Sequence, residues 1–360
     1  MIVYLTVNFL IILFGVLYLT KNPYSVFQKQ YSNKINNLVF IFMSFVLLFF
    51  ISGFRGDFTT DYKNYMMLFH YYNRFDFIDV FHYKFGQEIG YVLLNKVVGV
   101  FTNKFLYLMV ITTVIILYLY FKELKRSSSN IWLSVFMFVT VGDFYPSFNI
   151  TRQIMAGAII FSASKFLYER KMFKYFIFVF FAALFHKTAL IMMLFYFLLN
   201  LKINKMNLSF IFVILGILYI NINDFLSFIL KFFYSHYSNS IYALKGYSYK
   251  NVILNLGILL FVFSYLSKLD LKDNSIRIWI NSVIYYAFFA VLGLKVQVFG
   301  RLSHYFAPYV LLIIPSILES IHNRYEKAIY LTILVFMFVL YNFLALDGTG
   351  YDPYYFWQFK

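Results

Sequence analysis

Four short stretches of the 360-residue chain carry the side chains with chemical potential. The first is Gly53-Phe54-Arg55-Gly56-Asp57, followed by Asp61, Tyr62 and Tyr65. Arg55 offers a planar fork that fits a phosphate, and Asp57 and Asp61 are placed to accept sugar hydroxyls or a proton. The plain alternative is an Arg55 ion pair with Asp57 or Asp61 at a helix start. The second stretch is Arg152-Gln153, which opens a helix rich in small residues such as Ala156, Gly157 and Ala158. An arginine at a helix start adds its charge to the positive end of the helix dipole, and small residues let neighbouring helices approach closely. That pairing suits an anion, although a snorkelling arginine would look the same.

The third stretch is His186-Lys187, between two apolar runs. An imidazole near its ordinary pKa can take a proton from an attacking hydroxyl, but single histidines often do nothing more than pack. The fourth is Gly300-Arg301-Leu302-Ser303-His304-Tyr305-Phe306, where Arg301 and Tyr305 fall at i and i+4 and should share a helical face. A tyrosine-rich tail, including Tyr351, Tyr354 and Tyr355, is expected to return to this side as a floor or lid. Interfacial aromatic belts explain many such tyrosines equally well. No HExxH or trusted acidic pair suggests a metal, and no phosphate-loop or dinucleotide glycine pattern suggests ATP or NAD, so no cofactor is expected. His304 and His322 read as structural or surface residues, and Lys96 as a snorkelling lysine.

The segments that must position these residues are set by composition. The chain is 62% hydrophobic and 13% charged, against about 45–50% and 25% in soluble domains. A soluble enzyme is excluded. The net charge of +16 is spread between apolar segments rather than gathered on one face, so nucleic acid is not an expected partner. With no cysteine, disulfides, thiolate catalysis and cysteine metal sites are excluded as well. Apolar runs near the length needed to cross a bilayer fall at 2–20, 37–53, 104–121, 131–146, 152–168, 174–186, 188–201, 208–222, 251–266, 278–294, 303–318 and 328–344. These predict an all-α polytopic integral membrane protein of about 12 transmembrane helices, with 1–360 as a single membrane domain.

Basic residues of the short loops set the orientation. Lys21, Lys29, Lys34, Lys122, Lys125, Arg126, Arg170, Lys171, Lys174, Lys202, Lys205, Lys268, Lys272, Arg277, Arg324 and Lys327 fall in one alternating set of loops, which is placed in the cytoplasm. The other set holds the long loops 54–103 and 223–250, each expected to carry an interfacial helix, at 88–101 and 224–233. All four chemical stretches then lie on the outer side.

Their order along the chain resembles one family. An RGD segment with DYxxY at Asp61–Tyr65, ExGY at Glu88–Tyr91, TRQ at 151–153, FHKTAL at 185–190, GRLSHYF at 300–306 and PYY at 353–355 is similar to the EpsG family of Wzy-type bacterial polysaccharide polymerases. The resemblance covers nearly the whole chain, and the ordered series carries it. It implies a glycosyltransferase on the outer face of the inner membrane that joins undecaprenyl-pyrophosphate-linked oligosaccharides and releases undecaprenyl pyrophosphate. Implied companions are the lipid bilayer, a chain-length regulator and a flippase. Arg55, Arg152 and Arg301, with Gln153, Asp57, Tyr305 and Tyr354, would then bind substrate. His186 is the first choice of base, with Glu88 and Asp61 behind it. Two other classes fit the same features less well. An O-antigen ligase or related lipid-linked glycosyltransferase would use similar groups, and a flippase or transporter would carry midplane charges and an inverted repeat.

Overall fold

The computed structural model describes residues 1–21, 34–79, 87–222, 224, 248–346 and 351–357. Every extended element among them is helical, as expected where backbone polar groups must find partners without water. The helices run α1 (Ile2–Lys21), α2 (Lys34–Gly53), α3 (Tyr62–Tyr72), α4 (Ile89–Phe101), α5 (Leu106–Ser127), α6 (Ile131–Thr140), α7 (Thr151–Ser162) and α8 (Ser164–Tyr168). They continue as α9 (Met172–Ala183), α10 (Ile191–Leu199), α11 (Lys205–Ile220), α12 (Tyr249–Ser264), α13 (Asn274–Gly293), α14 (Gln297–Leu302), α15 (Ala307–Ser320) and α16 (Arg324–Leu346).

Each of the expected apolar spans is occupied by helix. Only four of these helices, at 36–53, 106–127, 274–293 and 324–346, are individually long and apolar enough to cross a membrane; the pair 297–305 and 307–320, bent by 52°, makes a fifth. Several of the others are cut short by turns, as where α7 stops at Ser162 and α9 at Ala183. The protein is membrane-embedded.

Helix α4 is too short to span, at 13 residues, and buries one face through Tyr91, Val92, Asn95, Lys96 and Val98. Lys96 does not snorkel: it is buried, and its ammonium donates to the carbonyls of Tyr72 (3.2 Å) and Phe75 at the end of α3. Carbonyls at a helix end attract a cation, which outweighs the reach to water here. The second expected interfacial helix, at 224–233, lies outside the described residues apart from Asp224, as does Lys29.

The core is aromatic and centred on α7, whose Ala156 and Ala158 are fully buried. Small side chains there let α7 pack closely between α5 and α9. The tail returns over the C-terminal end of α2. Gly56 N donates to Tyr355 O (2.8 Å) and Trp357 N to Phe54 O (2.7 Å), giving an isolated bridge between Arg55 and Phe356. A Cβ on Gly56 would lie 2.3 Å from the Tyr355 ring, so glycine is required for this contact.

Candidate active site

Glu88 is the hub. It is the first residue before α4, and its carboxylate faces inward at 7% exposure. Oε2 accepts from Arg152 Nη1 at 2.6 Å, and Oε1 accepts the Lys187 backbone N–H at 3.2 Å. His186 Nδ1 lies 3.6 Å from Oε1, an ion-pair approach but not a hydrogen bond. Three chain segments converge because Gly90 lets α4 touch the end of α9. Gly90 N donates to Leu184 O at 2.8 Å, and a Cβ at Gly90 would sit 2.7 Å from that oxygen.

Arg152 is held from several sides. It also donates to Gln87 Oε1, and its guanidinium lies 5.9 Å and 5.5 Å from the ring centroids of Tyr65 and Tyr91. Yet Arg152 Nε and His186 Nδ1 are buried without a hydrogen-bond partner. Unsatisfied polar atoms are uncommon in a folded interior, and two beside one carboxylate mark a place where a polar ligand fits.

Arg301 joins the cluster electrostatically. Its charge and that of Arg152 reach both Asp61 and His186. Burial holds the Asp61 carboxyl above the ordinary carboxylate range, against the pull of these two guanidinium groups. The Asp61 backbone is anchored by its N–H to Asn149 Oδ1, at 3.0 Å. Gln153 Nε2 donates to the backbone oxygen of Arg301 at 2.7 Å, which ties the start of α7 to α14. Gln153 therefore positions Arg301. Tyr305 does not share Arg301's face: the chain tightens into a 3-10 turn at Ser303–Tyr305, and the Tyr305 hydroxyl meets Thr188 Oγ1 at 2.8 Å. The residue one tight turn past Arg301 is His304.

Arg55, Asp57 and Tyr354 gather elsewhere, under the tail. Arg55 is 4% exposed, its Nη1 donates to Ser52 O at 2.5 Å, and Nη2 reaches Phe148 O at 3.5 Å. No ion pair joins Arg55 to Asp57 or Asp61 among the described residues. Asp57 is exposed and accepts from the Tyr355 hydroxyl. Tyr354 donates to Ile51 O at 2.7 Å.

Sequence reasoning passed over Gln87, Thr188 and Asn149, whose roles come only from tertiary contact. It also passed over Asp143. This carboxylate is 2% exposed, accepts from the Tyr120 hydroxyl, and lies 2.6 Å from His304 Nδ1. An acid within the apolar stretch 131–161 was a signal available in the sequence. His304 is thus no surface residue, because that buried acid holds its ring. His322 is exposed, with its ring on Ser320 O. No group of three acidic or histidine side chains suited to a metal ion is present among the described residues.

The ordered stretches and the helices that gather them match one family across residues 38–358, nearly the whole chain. The chain belongs to the EpsG family. EpsG is a Wzy-like polymerase family. No curated protein and no solved structure matches this EpsG-family chain.

Proposed function

We propose that the chain is a polysaccharide polymerase of the O-antigen or exopolysaccharide type. It is a glycosyltransferase that joins undecaprenyl-pyrophosphate-linked repeat units on the outer face of the inner membrane and releases undecaprenyl pyrophosphate. The supporting observation is the cluster around Glu88, where Arg152 and Arg301 share one neighbourhood with Asp61 and His186 and two buried polar atoms lack partners. A pyrophosphate brings two negative groups and many acceptor oxygens, which is what two guanidinium groups with spare donors suit. In this reading Arg152 and Arg301 hold the pyrophosphate and Gln153 sets the height of Arg301. Glu88 orients Arg152, while His186 and Asp61 are the nearby proton acceptors. Tyr305 supports the site through Thr188. Arg55, Asp57 and Tyr354 shape its outer rim.

The same reading takes the shorter helices as completing about 12 spans, several of them broken at the site, where non-helical backbone is tolerated inside protein. The outer-facing orientation has a direct test, because the chain has no native cysteine. Cysteine placed at exposed Asn64 should react with an impermeant maleimide in intact spheroplasts, and at exposed Ser129 only after lysis. Function is tested by the surface polysaccharide of a deletion strain. Loss of a polymerase leaves core carrying one repeat unit, whereas loss of a ligase or flippase leaves core alone. Bare core in the deletion strain would overturn the polymerase reading.

A further inference from the structure

Asp143 lies in the break between α6 and α7, deep among aromatic side chains. An ionisable group in such a place is costly unless it is paired and used. Its two described partners are the Tyr120 hydroxyl and His304 Nδ1. Because Nδ1 points at a carboxylate, the imidazole holds its proton there, and Nε2 is left as the accepting nitrogen. No described residue bonds Nε2. The ring keeps 14% exposure while Ser303, Tyr305 and Phe306 around it keep 2% or less.

The place of His304 is set by its neighbours. It follows Arg301 by one 3-10 turn, so both side chains project to the same side. Its backbone oxygen would lie 3.8 Å from a Cβ on Gly157. Gly157 is five residues along α7 from Arg152, a rise of about 7–8 Å. His304 therefore sits one turn past Arg301 and farther along α7 than Arg152.

We propose that Asp143 and His304 form the proton-accepting dyad of the transfer, with His304 Nε2 facing the acceptor sugar; this rests on the polymerase reading. In a single displacement, the acceptor hydroxyl oxygen forms a bond to the donor's anomeric carbon. The bond from that carbon to the pyrophosphate oxygen breaks, and pyrophosphate departs with the electron pair onto the arginines. The hydroxyl proton goes to His304 Nε2, and Asp143 stabilises the imidazolium. The attacking oxygen lies on the face of the sugar opposite the phosphate, so its base belongs some distance past the arginines. His186 stands beside Arg152, and its Nδ1 has no hydrogen bond to fix the ring. His304 meets both requirements. Asp143 is a positioning residue, since it acts through His304.

The test uses the purified full chain in detergent. The probe is a lipid extract of cells deleted for this protein, which holds the unextended lipid-linked repeat unit. His304→Gln should lower kcat by about 10²–10⁴-fold, with KM within about threefold of wild type. Asp143→Asn should lower kcat by about 10²-fold or more, again with little change in KM. The double variant should be no slower than His304→Gln, because the two act as one unit. Multiplying effects would mean independent structural roles and would overturn the dyad, as would a wild-type kcat in His304→Gln. If Asp143→Asn aggregates on gel filtration, His304→Gln and His304→Asn decide by the same kcat criterion. If wild type leaves the extract unchanged, the polymerase reading fails and takes the dyad with it. If wild type extends it and His304→Gln does so equally fast, the dyad alone fails.

Discussion

Two arginines at helix ends, Arg55 and Arg152, look alike in sequence and differ in the fold. Arg55 sits beneath the tail with its Nη groups spent on the carbonyls of Ser52 and Phe148 and its guanidinium 5.0 Å from the Phe148 ring centroid. Arg152 spends Nη1 on Gln87 and Glu88, shares its surroundings with a second guanidinium, and keeps a fraction of its surface open. Charge at a span end is thus not informative by itself. What separates a tether from a binding group is whether backbone carbonyls or side chains of other elements take its donors. A carbonyl partner fixes local shape, whereas a cluster of side chains from separate elements leaves donors and charge for a ligand.

The comparison is sharpest at Arg301 and Arg152. Arg301→Lys keeps the charge but loses the planar fork, and should lower polymerisation of the accumulated lipid-linked repeat unit roughly 10²–10³-fold, as removal of one well-placed donor does. Arg152→Lys should lose as much and also loosen the grip on Glu88. Long-chain polysaccharide at the wild-type level from either variant, at equal protein in the membrane, would reduce that arginine to a topology signal. Next in size is Glu88→Gln. It leaves a buried guanidinium without its charge partner, so it should cost about 3–5 kcal/mol of stability. A thermal midpoint matching wild type would show that Arg152 stands without Glu88.

Much of this division was legible beforehand, and part was not. The apolar runs placed the helices that carry Arg152 and the segments flanking His186, because length and hydropathy are local properties, but not α3 or α14, which lie between the runs. The stretches at 61–65, 88–91, 151–153, 185–190 and 300–306 do meet, with Glu88 as the point of contact. The 3-10 tightening at Ser303–Tyr305 was invisible to a periodicity of 3.6, and it exchanged Tyr305 for His304 beside Arg301. Lys96 and Asp143 were misjudged or missed for a shared reason. Their partners, the end of α3 and the turn after α14, come from distant sequence, and no local pattern announces them.

A smaller effect tests the other arm of the comparison. Arg55→Lys should cost about 1–3 kcal/mol through its lost carbonyl bonds, with turnover per folded molecule within a few-fold of wild type. A lysine variant of normal thermal midpoint that makes only short chains would move Arg55 into the binding group.

Asp61 belongs to both regions, which makes the smallest prediction the most discriminating. Its backbone is tied to Asn149 near the Arg55 loop, and its carboxyl feels Arg152 and Arg301. Burial wins over the guanidinium groups and holds its pKa above the ordinary value. The folded chain then keeps this proton at a pH where the unfolded chain, with a carboxyl near about 3.9, has released it. Stability changes with pH in proportion to protons bound unfolded minus folded, which is negative here. The contribution of Asp61 is therefore complete below about pH 3.9 and declines as pH rises through its folded pKa. Asp61→Asn cannot titrate, so its thermal midpoint should gain on wild type between pH 4 and pH 8 in the same detergent. If the gap instead closes or reverses as pH rises, ionised Asp61 is a stabilising partner of Arg152 and Arg301. The proposed anion site would then already hold a carboxylate, and a pyrophosphate would have to displace it.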